Sequence, residues 1–329
     1  MNIYDIANKA GVSIATVSRV LNGSGKVRPE TEELIRKIIA EENYLPRQSR
    51  HFAGCIRTAA IMIKDVLTPS NAHIVESLSK ELEKKGITVR LCLHGNDRTL
   101  FNRQLIQCQK DNLLIAYAIT CDFGADKYTL PDTLKLTMPM VLINSDLNIP
   151  GAYHIDLDRE SSLKKLAESC VSSGHSRICC LFSSMNRSNM ALIDAITDVL
   201  KVSTAALPPG FFHLIDKDSA DAGIYIEKLL SSEDPPNALI ASDSLLAAHA
   251  LKILKQKDIR IPVDFEIACA EYSFLSEAVY PEITGLDLLD EEVAELSVTL
   301  LSSLMTGKEV SLRSVVKADI IYGESTLNP

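Results

Sequence analysis

The chain has 329 residues, 46% hydrophobic and 23% charged, with eight cysteines and a formal net charge of -9. Its length suits two or three domains with a sizeable core, and the acidic sum argues against a chain that coats nucleic acid along its whole length. The cysteines, at 55, 92, 108, 121, 170, 179, 180 and 269, form neither a Cys-x-x-Cys pair nor a Cys/His group with zinc spacing, which excludes a zinc module and a disulfide scaffold.

Most of these cysteines fall in apolar runs, as reduced buried thiols do. No run approaches the roughly 18 apolar residues of a membrane span. No basic leader with a long apolar stretch opens the chain, so a cytoplasmic protein without membrane contact is expected. The charge is uneven: residues 1–57 hold nine basic and six acidic side chains, the remainder 25 and 37. A mildly basic head on an acidic body suits a DNA reader carried by a domain that does not itself bind phosphate.

The first helix begins behind Asn2, a capping residue, with Ile3, Ile6, Ala7 and Ala10 at helical spacing. Gly11 ends it where a left-handed residue is needed. Ser13 caps a second helix running through Leu21, with Val17, Val20 and Leu21 as its buried stripe and Ile14, Ala15, Ser18, Arg19 and Asn22 mainly off it. A connection as short as Gly11-Val12-Ser13 forces the steep crossing of a helix-turn-helix. Pro29 opens a third helix with Leu34, Ile35, Ile38 and Ile39 as its apolar face, and Tyr44-Leu45-Pro46 ends the unit. Helical spacing alone leaves open a small module that binds protein or nothing.

The segment Gly11-Val12-Ser13-x-x-Thr16-Val17-Ser18-Arg19-Val20-Leu21-Asn22 is more specific. It resembles the N-terminus of the lactose-repressor (LacI/GalR-type) family of transcriptional regulators. The resemblance implies that the second helix enters the major groove of operator DNA with its N-terminal residues at the base edges. Arg19, the long donor on that face, is expected to read a base, guanine first. Ile14 and Ala15 occupy the pair that sets operator preference and would read thymine methyls or exclude bulk. Tyr4, Ser13, Thr16, Ser18 and Asn22 carry short polar tips suited to phosphate oxygens.

Residues 46–57, Pro-Arg-Gln-Ser-Arg-His-Phe-Ala-Gly-Cys-Ile-Arg, follow. By resemblance this is a hinge that folds on operator and drives an apolar wedge into the minor groove. Phe52 takes the wedge position ahead of Ala53-Gly54, where leucine is usual, in a segment one or two residues shorter than the common pattern. Arg47, Arg50, His51 and Arg57 suit phosphate contacts. A flexible tether with one docked aromatic is the alternative.

From residue 59 short β-branched runs alternate with helical stretches. Strands are expected at 59–63, 87–93, 113–119, 140–144, 177–182, 211–215, 238–242 and 265–271, and helices near 71–86, 98–110, 159–173, 188–201, 219–232 and 243–257. Such alternation means parallel sheets covered by helices, and about ten strands suggest two Rossmann-like subdomains. No Gly-x-Gly-x-x-Gly follows a strand, and no Walker loop or catalytic Ser/His/Asp or Cys/His set stands out, so neither an enzyme nor a cofactor is expected.

The resemblance continues through Asp65 with Pro69, Met138-Pro139-Met140-Val141, Gly174-His175-Ser176-Arg177-Ile178, Ser242-Asp243, Ile261-Pro262-x-Asp264, Pro281-x-Ile283-Thr284 and Glu324-Ser325-Thr326. It implies a body of periplasmic-binding-protein type with a small-molecule cleft between subdomains. The expected division is a helix-turn-helix domain over 1–45, a hinge over 46–58 and an effector-binding, dimerising body over 59–329. Within the body, 59–158 with 284–315 would form one subdomain and 159–283 with 316–329 the other. Without a leucine-heptad tail, a dimer on a palindromic operator is expected.

The cleft departs most from the family. Ser70 and Asn71 stand where relatives carry aromatic residues. Met190 and Leu192 stand where an arginine reaches the ligand, with Arg187 about one turn away as a substitute. Ser242 replaces an asparagine beside the retained Asp243, Glu271 replaces an aspartate, and Asn144, Ser145 and Asp146 fall where another polar contact is expected. Polar groups converge without a stacking ring, so a sugar or sugar phosphate is the expected effector and a degenerate cleft the alternative. Thr299 and Ser303 stand where the catabolite-control branch places basic groups for a phosphocarrier protein. The expectation is a DNA-binding repressor gated by a small molecule. The alternatives are a solute-binding protein without DNA function and a regulator controlled by a protein partner.

Overall fold

The structure, a computed structural model, describes residues 3–22, 27–41, 55–123, 129, 131, 136–175, 177–183, 187–203, 212–215 and 219–327. At the N-terminus α1 (Ile3–Ala10), α2 (Ile14–Asn22) and α3 (Pro29–Glu41) pack around Ile6, Ala7, Val17, Val20 and Ile35. Gly11 stands at φ 64°, and Val12 N–H returns to the Ala7 carbonyl at 3.0 Å. The left-handed step thus closes α1 and sends the chain into α2. Ser13 Oγ accepts from Thr16 N–H at 3.2 Å, the expected cap. On α3 the apolar face is narrower than expected. Ile35 is fully buried and Ile38 partly, but Leu34 is 45% exposed, since the small core is filled without it.

Among the described residues the body holds two six-stranded sheets. Its elements are β1 (Ile56–Ile63), α4 (Pro69–Lys84), β2 (Thr88–Leu93), α5 (Arg98–Lys110), β3 (Leu113–Ile119), β4 (Met140–Ile143) and β5 (Tyr153–Asp158). Then come α6 (Glu160–Ser172), β6 (Ile178–Phe182), α7 (Arg187–Val202), β7 (Phe212–Leu214), α8 (Ser219–Leu230), β8 (Ala238–Ala241), α9 (Ser244–Gln256), β9 (Glu266–Cys269) and α10 (Phe274–Ala278). The chain closes with β10 (Thr284–Asp287), α11 (Asp290–Met305), β11 (Arg313–Lys317) and β12 (Asp319–Ile321). The first sheet runs β11-β5-β4-β3-β1-β2, all parallel; the second runs β12-β10-β9-β8-β6-β7, parallel except for the β10–β12 pair.

Successive side chains on a strand face opposite layers, and the cores follow that period. Ala59, Ile61 and Ile63 pack with Ile74 and Leu78 of α4 and Val298 and Leu301 of α11. Ala60 and Met62 face Phe101 and Leu105 of α5. In the second lobe Cys180 and Phe182 meet α6 and α7, while Cys179 and Leu181 meet α8 and α9. All eight cysteines are free, seven of them buried and Cys55 intermediate. Among the described residues no helix is long and apolar enough to cross a membrane, and no side-chain group could hold a metal ion.

The chain passes between lobes after β5, after β10 and after β11. The second passage lies beyond Asp287 rather than at 283–284, because Thr284–Asp287 pairs with β9 before α11 returns to α4. Four strands lie outside those expected from sequence: β5, β10, β11 and β12. The first lobe also begins inside the expected hinge, since β1 opens at Ile56. Arg57 is tied to the body, donating to the carbonyls of Lys85 at 2.7 Å and Gly86 at 3.4 Å, not held out for phosphate.

Candidate nucleic-acid interface and inter-lobe cleft

On α2 the residues off the core are presented as their spacing requires. Ile14 is 38% exposed, Ala15 and Arg19 are exposed and Thr16 is intermediate, while Val17 and Val20 lie beneath them. Ser13 spends its hydroxyl on the turn: Oγ caps Thr16 N–H and stands 2.9 Å from Thr16 Oγ1. Both residues hold the helix start as well as facing outward, so any phosphate contact shares those oxygens. The side chains of Tyr4, Ser18, Asn22 and Arg187, and the whole of Arg47, Phe52 and Ala53, lie outside the described residues.

The cleft forms where parallel strands end. In doubly wound sheets the loops beyond the strand C-termini line the ligand crevice, and here they supply most of the expected set. Ser70, second residue of α4 behind β1, donates its hydroxyl to Glu271 Oε2 at 2.8 Å; Glu271 follows β9 in the other lobe. Asn71 turns back to its own loop. Its Nδ2 donates to the Asp65 carbonyl at 3.1 Å, and its Oδ1 accepts from Thr120 Oγ1 at 3.4 Å. Asn144 sits at φ 46° after β4 and accepts from Leu157 N–H at 2.7 Å. Asp243 caps α9, accepting from Leu246 N–H at 3.0 Å and from Ser242 Oγ at 2.9 Å.

Arg159, which the sequence reading passed over, joins these groups. It stands between β5 and α6 at the first passage between lobes. Its Nη2 donates to the Ala270 carbonyl at 2.6 Å, and its Nη1 lies 3.5 Å from Glu271 Oε1. Its Nε is buried without an acceptor. A basic residue immediately after a parallel strand is the available signal, but the sequence pattern marks no strand over Tyr153–Asp158. Burial pushes the Glu271 carboxyl above the usual carboxylate range; Arg159 and the Ser70 hydrogen bond pull it down, and Asp243 adds to the rise.

Arg159 also borders a cavity of about 500 Å³ whose lining includes Asn144, Asp146, Asp158, Glu160 and Ala191. Two expected effector residues, Asn144 and Asp146, thus share a space with Arg159. Met190 does not line it: the side chain is 46% exposed on α7, and its neighbour Ala191 faces the cavity. A larger hollow of about 900 Å³ lies between α4 and α11, lined by His73, Glu81, Lys84, Asp290, Glu291 and Glu295 among others. It includes none of the expected effector residues. It lies along the groove between two helices, apart from the polar groups that converge at the strand ends.

Residues 2–47 match bacterial regulatory proteins of the lacI family, and residues 167–326 match the periplasmic binding protein-like domain. An HTH-type transcriptional regulator of Lachnoclostridium phytofermentans is 24% identical over 331 residues, 99% of each chain. Among solved structures, a transcriptional regulator CelR–cellobiose complex aligns with TM-score 0.69 at 21% identity over 99% of both chains. The lac repressor dimer bound to operator and the anti-inducer ONPF aligns with TM-score 0.67 at 18% identity, also over 99% of both. At these identities the structural likeness is one of fold.

Proposed function

Because the chain is a DNA-binding transcriptional regulator of the LacI family, with that family's helix-turn-helix head on a periplasmic-binding-protein-like body, we propose that it is a repressor whose operator affinity is set by a small polar ligand in the inter-lobe cleft. The observation that carries this reading is the Ser70–Glu271 hydrogen bond, which makes the relative placement of the lobes depend on the polar groups at the strand ends. A ligand that enters there competes for those groups. By linkage, whatever it does to operator affinity the operator does to its affinity. The cellobiose in the CelR complex makes a carbohydrate the first class to try.

In this reading α2 lies in the major groove with Ile14, Ala15 and Arg19 at the bases, and Thr16 and Ser13 near phosphates. Tyr4, Ser18, Asn22, Arg47, Phe52 and Ala53 keep the DNA roles expected from sequence. Ser70, Asn71, Asn144, Asp146, Asp243 and Glu271 form the polar part of the cleft, and Arg187 and Met190 its α7 side. The protein acts as a homodimer. Its edge strands support this: Leu91 and Leu93 on β2 and Phe212 and Leu214 on β7 are 43%, 43%, 51% and 47% exposed, one apolar strip per lobe. A two-fold pair would then read a palindrome.

The test selects operator from random duplex DNA with the full-length chain. It then measures operator affinity by fluorescence anisotropy with and without neutral sugars. A light-scattering mass gives the oligomeric state. Failure to enrich any sequence sinks the operator reading, and a ligand that binds without altering operator affinity sinks the gating.

A further inference from the structure

Two of the buried thiols have each other and a cation as neighbours. Cys92 stands on β2, the edge strand of the first sheet, in register with Met62 of β1, so both side chains face the layer of α5. Cys108 lies on α5, three residues after Leu105 and seven after Phe101, on the helix face that packs against the same layer. Strand and helix thus bring the two sulfurs together, the Cys92 thiol donating to Cys108. Arg90 precedes Cys92 by two residues and shares its side of β2. Its Nη1 stands 2.5 Å from Oδ2 of Asp111, the C-cap of α5, and the guanidinium also hydrogen-bonds Cys108.

These neighbours set the two thiols apart from the rest. The hydrogen bond from Cys92 holds the Cys108 thiol below the usual range; burial opposes it, and Arg90 adds to the fall. The same hydrogen bond, with burial, pushes Cys92 up, so the pair gives up its first proton readily and keeps its second. Burial pushes Cys55, Cys121, Cys170, Cys179, Cys180 and Cys269 up. The thiolate is the form that attacks an oxidant, and a positive neighbour favours it. Access comes from the rim of the sheet: Cys92 keeps 7% exposure and the Arg90 side chain 41%.

We propose that Cys92 and Cys108 form a modification site, an oxidisable pair that hydrogen peroxide converts into a disulfide between β2 and α5. The Cys108 thiolate attacks one peroxide oxygen and the O–O bond breaks. The departing hydroxide takes up a proton as water, leaving Cys108 as the sulfenic acid. The Cys92 sulfur then attacks the Cys108 sulfur, the S–O bond breaks, and the hydroxide leaves with the Cys92 proton as a second water. Two thiols lose two electrons and two protons, and one peroxide becomes two waters. A thiol reductant restores the pair by exchange.

The experiment treats the reduced full-length chain with hydrogen peroxide while circular dichroism confirms that it stays folded. Catalase ends the reaction, and the chain is unfolded, alkylated with N-ethylmaleimide and mapped by mass spectrometry. The expected map joins the Cys92 peptide to the Cys108 peptide, with the other six cysteines alkylated and the link released by dithiothreitol. Cys92→Ser is expected to stop at a sulfenic acid on Cys108 that dimedone traps, and Cys108→Ser to form no disulfide. The wild-type map alone decides the pairing if a serine variant does not fold. A link between any other pair overturns the proposal. So does a folded chain whose Cys92 and Cys108 stay alkylatable at every peroxide concentration that leaves it folded.

Discussion

Ser70 donates its hydroxyl to Glu271 at 2.8 Å, joining two lobes whose sheets share no strand pairing. Hydrogen bonds to a charged group contribute more than neutral ones, and this one spans the gap a ligand must enter. Ser70→Ala is expected to lower stability by about 1–2 kcal/mol, read from the urea midpoint, and to change operator affinity because the lobes lose a tie. Without the Ser70 donor the Glu271 carboxyl titrates still higher. Unchanged stability and unchanged operator affinity together would remove the tie from the account.

Arg19 gives the sharpest test of the head. It is exposed on α2 while Val17 and Val20 hold the core, so truncation leaves the fold intact. Arg19→Ala is expected to cost about 1–3 kcal/mol of specific binding, with a smaller loss on scrambled duplex. Anisotropy on both duplexes checks this, and equal losses would make Arg19 a phosphate contact.

Gly11 at φ 64° has nothing within 4 Å of where a Cβ would stand. Its replacement therefore meets backbone strain and no clash. Gly11→Ala is expected to destabilise the head by about 1–2 kcal/mol, and Gly11→Asn by less, since Asn tolerates the left-handed region. The readout is the temperature at which the full-length chain loses operator binding. An Ala variant as robust as wild type would place the α1–α2 turn elsewhere.

Asp290 carries a pH dependence. Burial raises its pKa from 3.8 to about 6, against the pull of His73, whose Nδ1 lies 3.0 Å from Oδ2. A carboxyl raised in the folded state favours folding in its protonated form. That advantage is whole below pH 3.8, declines as the unfolded chain ionises first, and is gone above about 6. Asp290→Asn, which cannot ionise, should therefore be more stable than wild type at pH 7.5, by about 3 kcal/mol, and close to it at pH 4. Urea unfolding at the two pH values checks this; a gain at pH 4 alone would reverse the assignment.

The head was legible because its signals are local. Gly11, Ser13 and the Ile6/Val17/Val20 spacing act over a few residues, and the structure places all of them as expected. The wound lobes were legible from alternating runs such as Leu113–Ile119, buried throughout. The four strands that escaped notice lack that signature. In β5 the residues His154, Asp156 and Asp158 interrupt the apolar pattern, because the strand is only partly covered. The strand β10 has four residues with a glycine among them, β12 has three, and β11 is an edge strand with exposed positions. Arg159 was hidden with β5, and its partner Ala270 is 111 residues away in sequence, so only the passage between lobes brings them together.

That passage has a consequence for how the protein is made. The last strand of each sheet comes from one short stretch, Arg313–Lys317 completing the first and Asp319–Ile321 the second. During synthesis both sheets therefore wait with an open edge until the ribosome has delivered that stretch, and α11, which covers one face of the first sheet, arrives only shortly before it. Exposed edges and uncovered apolar layers are what make nascent chains stick to one another. A message truncated anywhere before residue 313 leaves both lobes unfinished, so such a fragment should be cleared by proteases or chaperones instead of surviving as a free half.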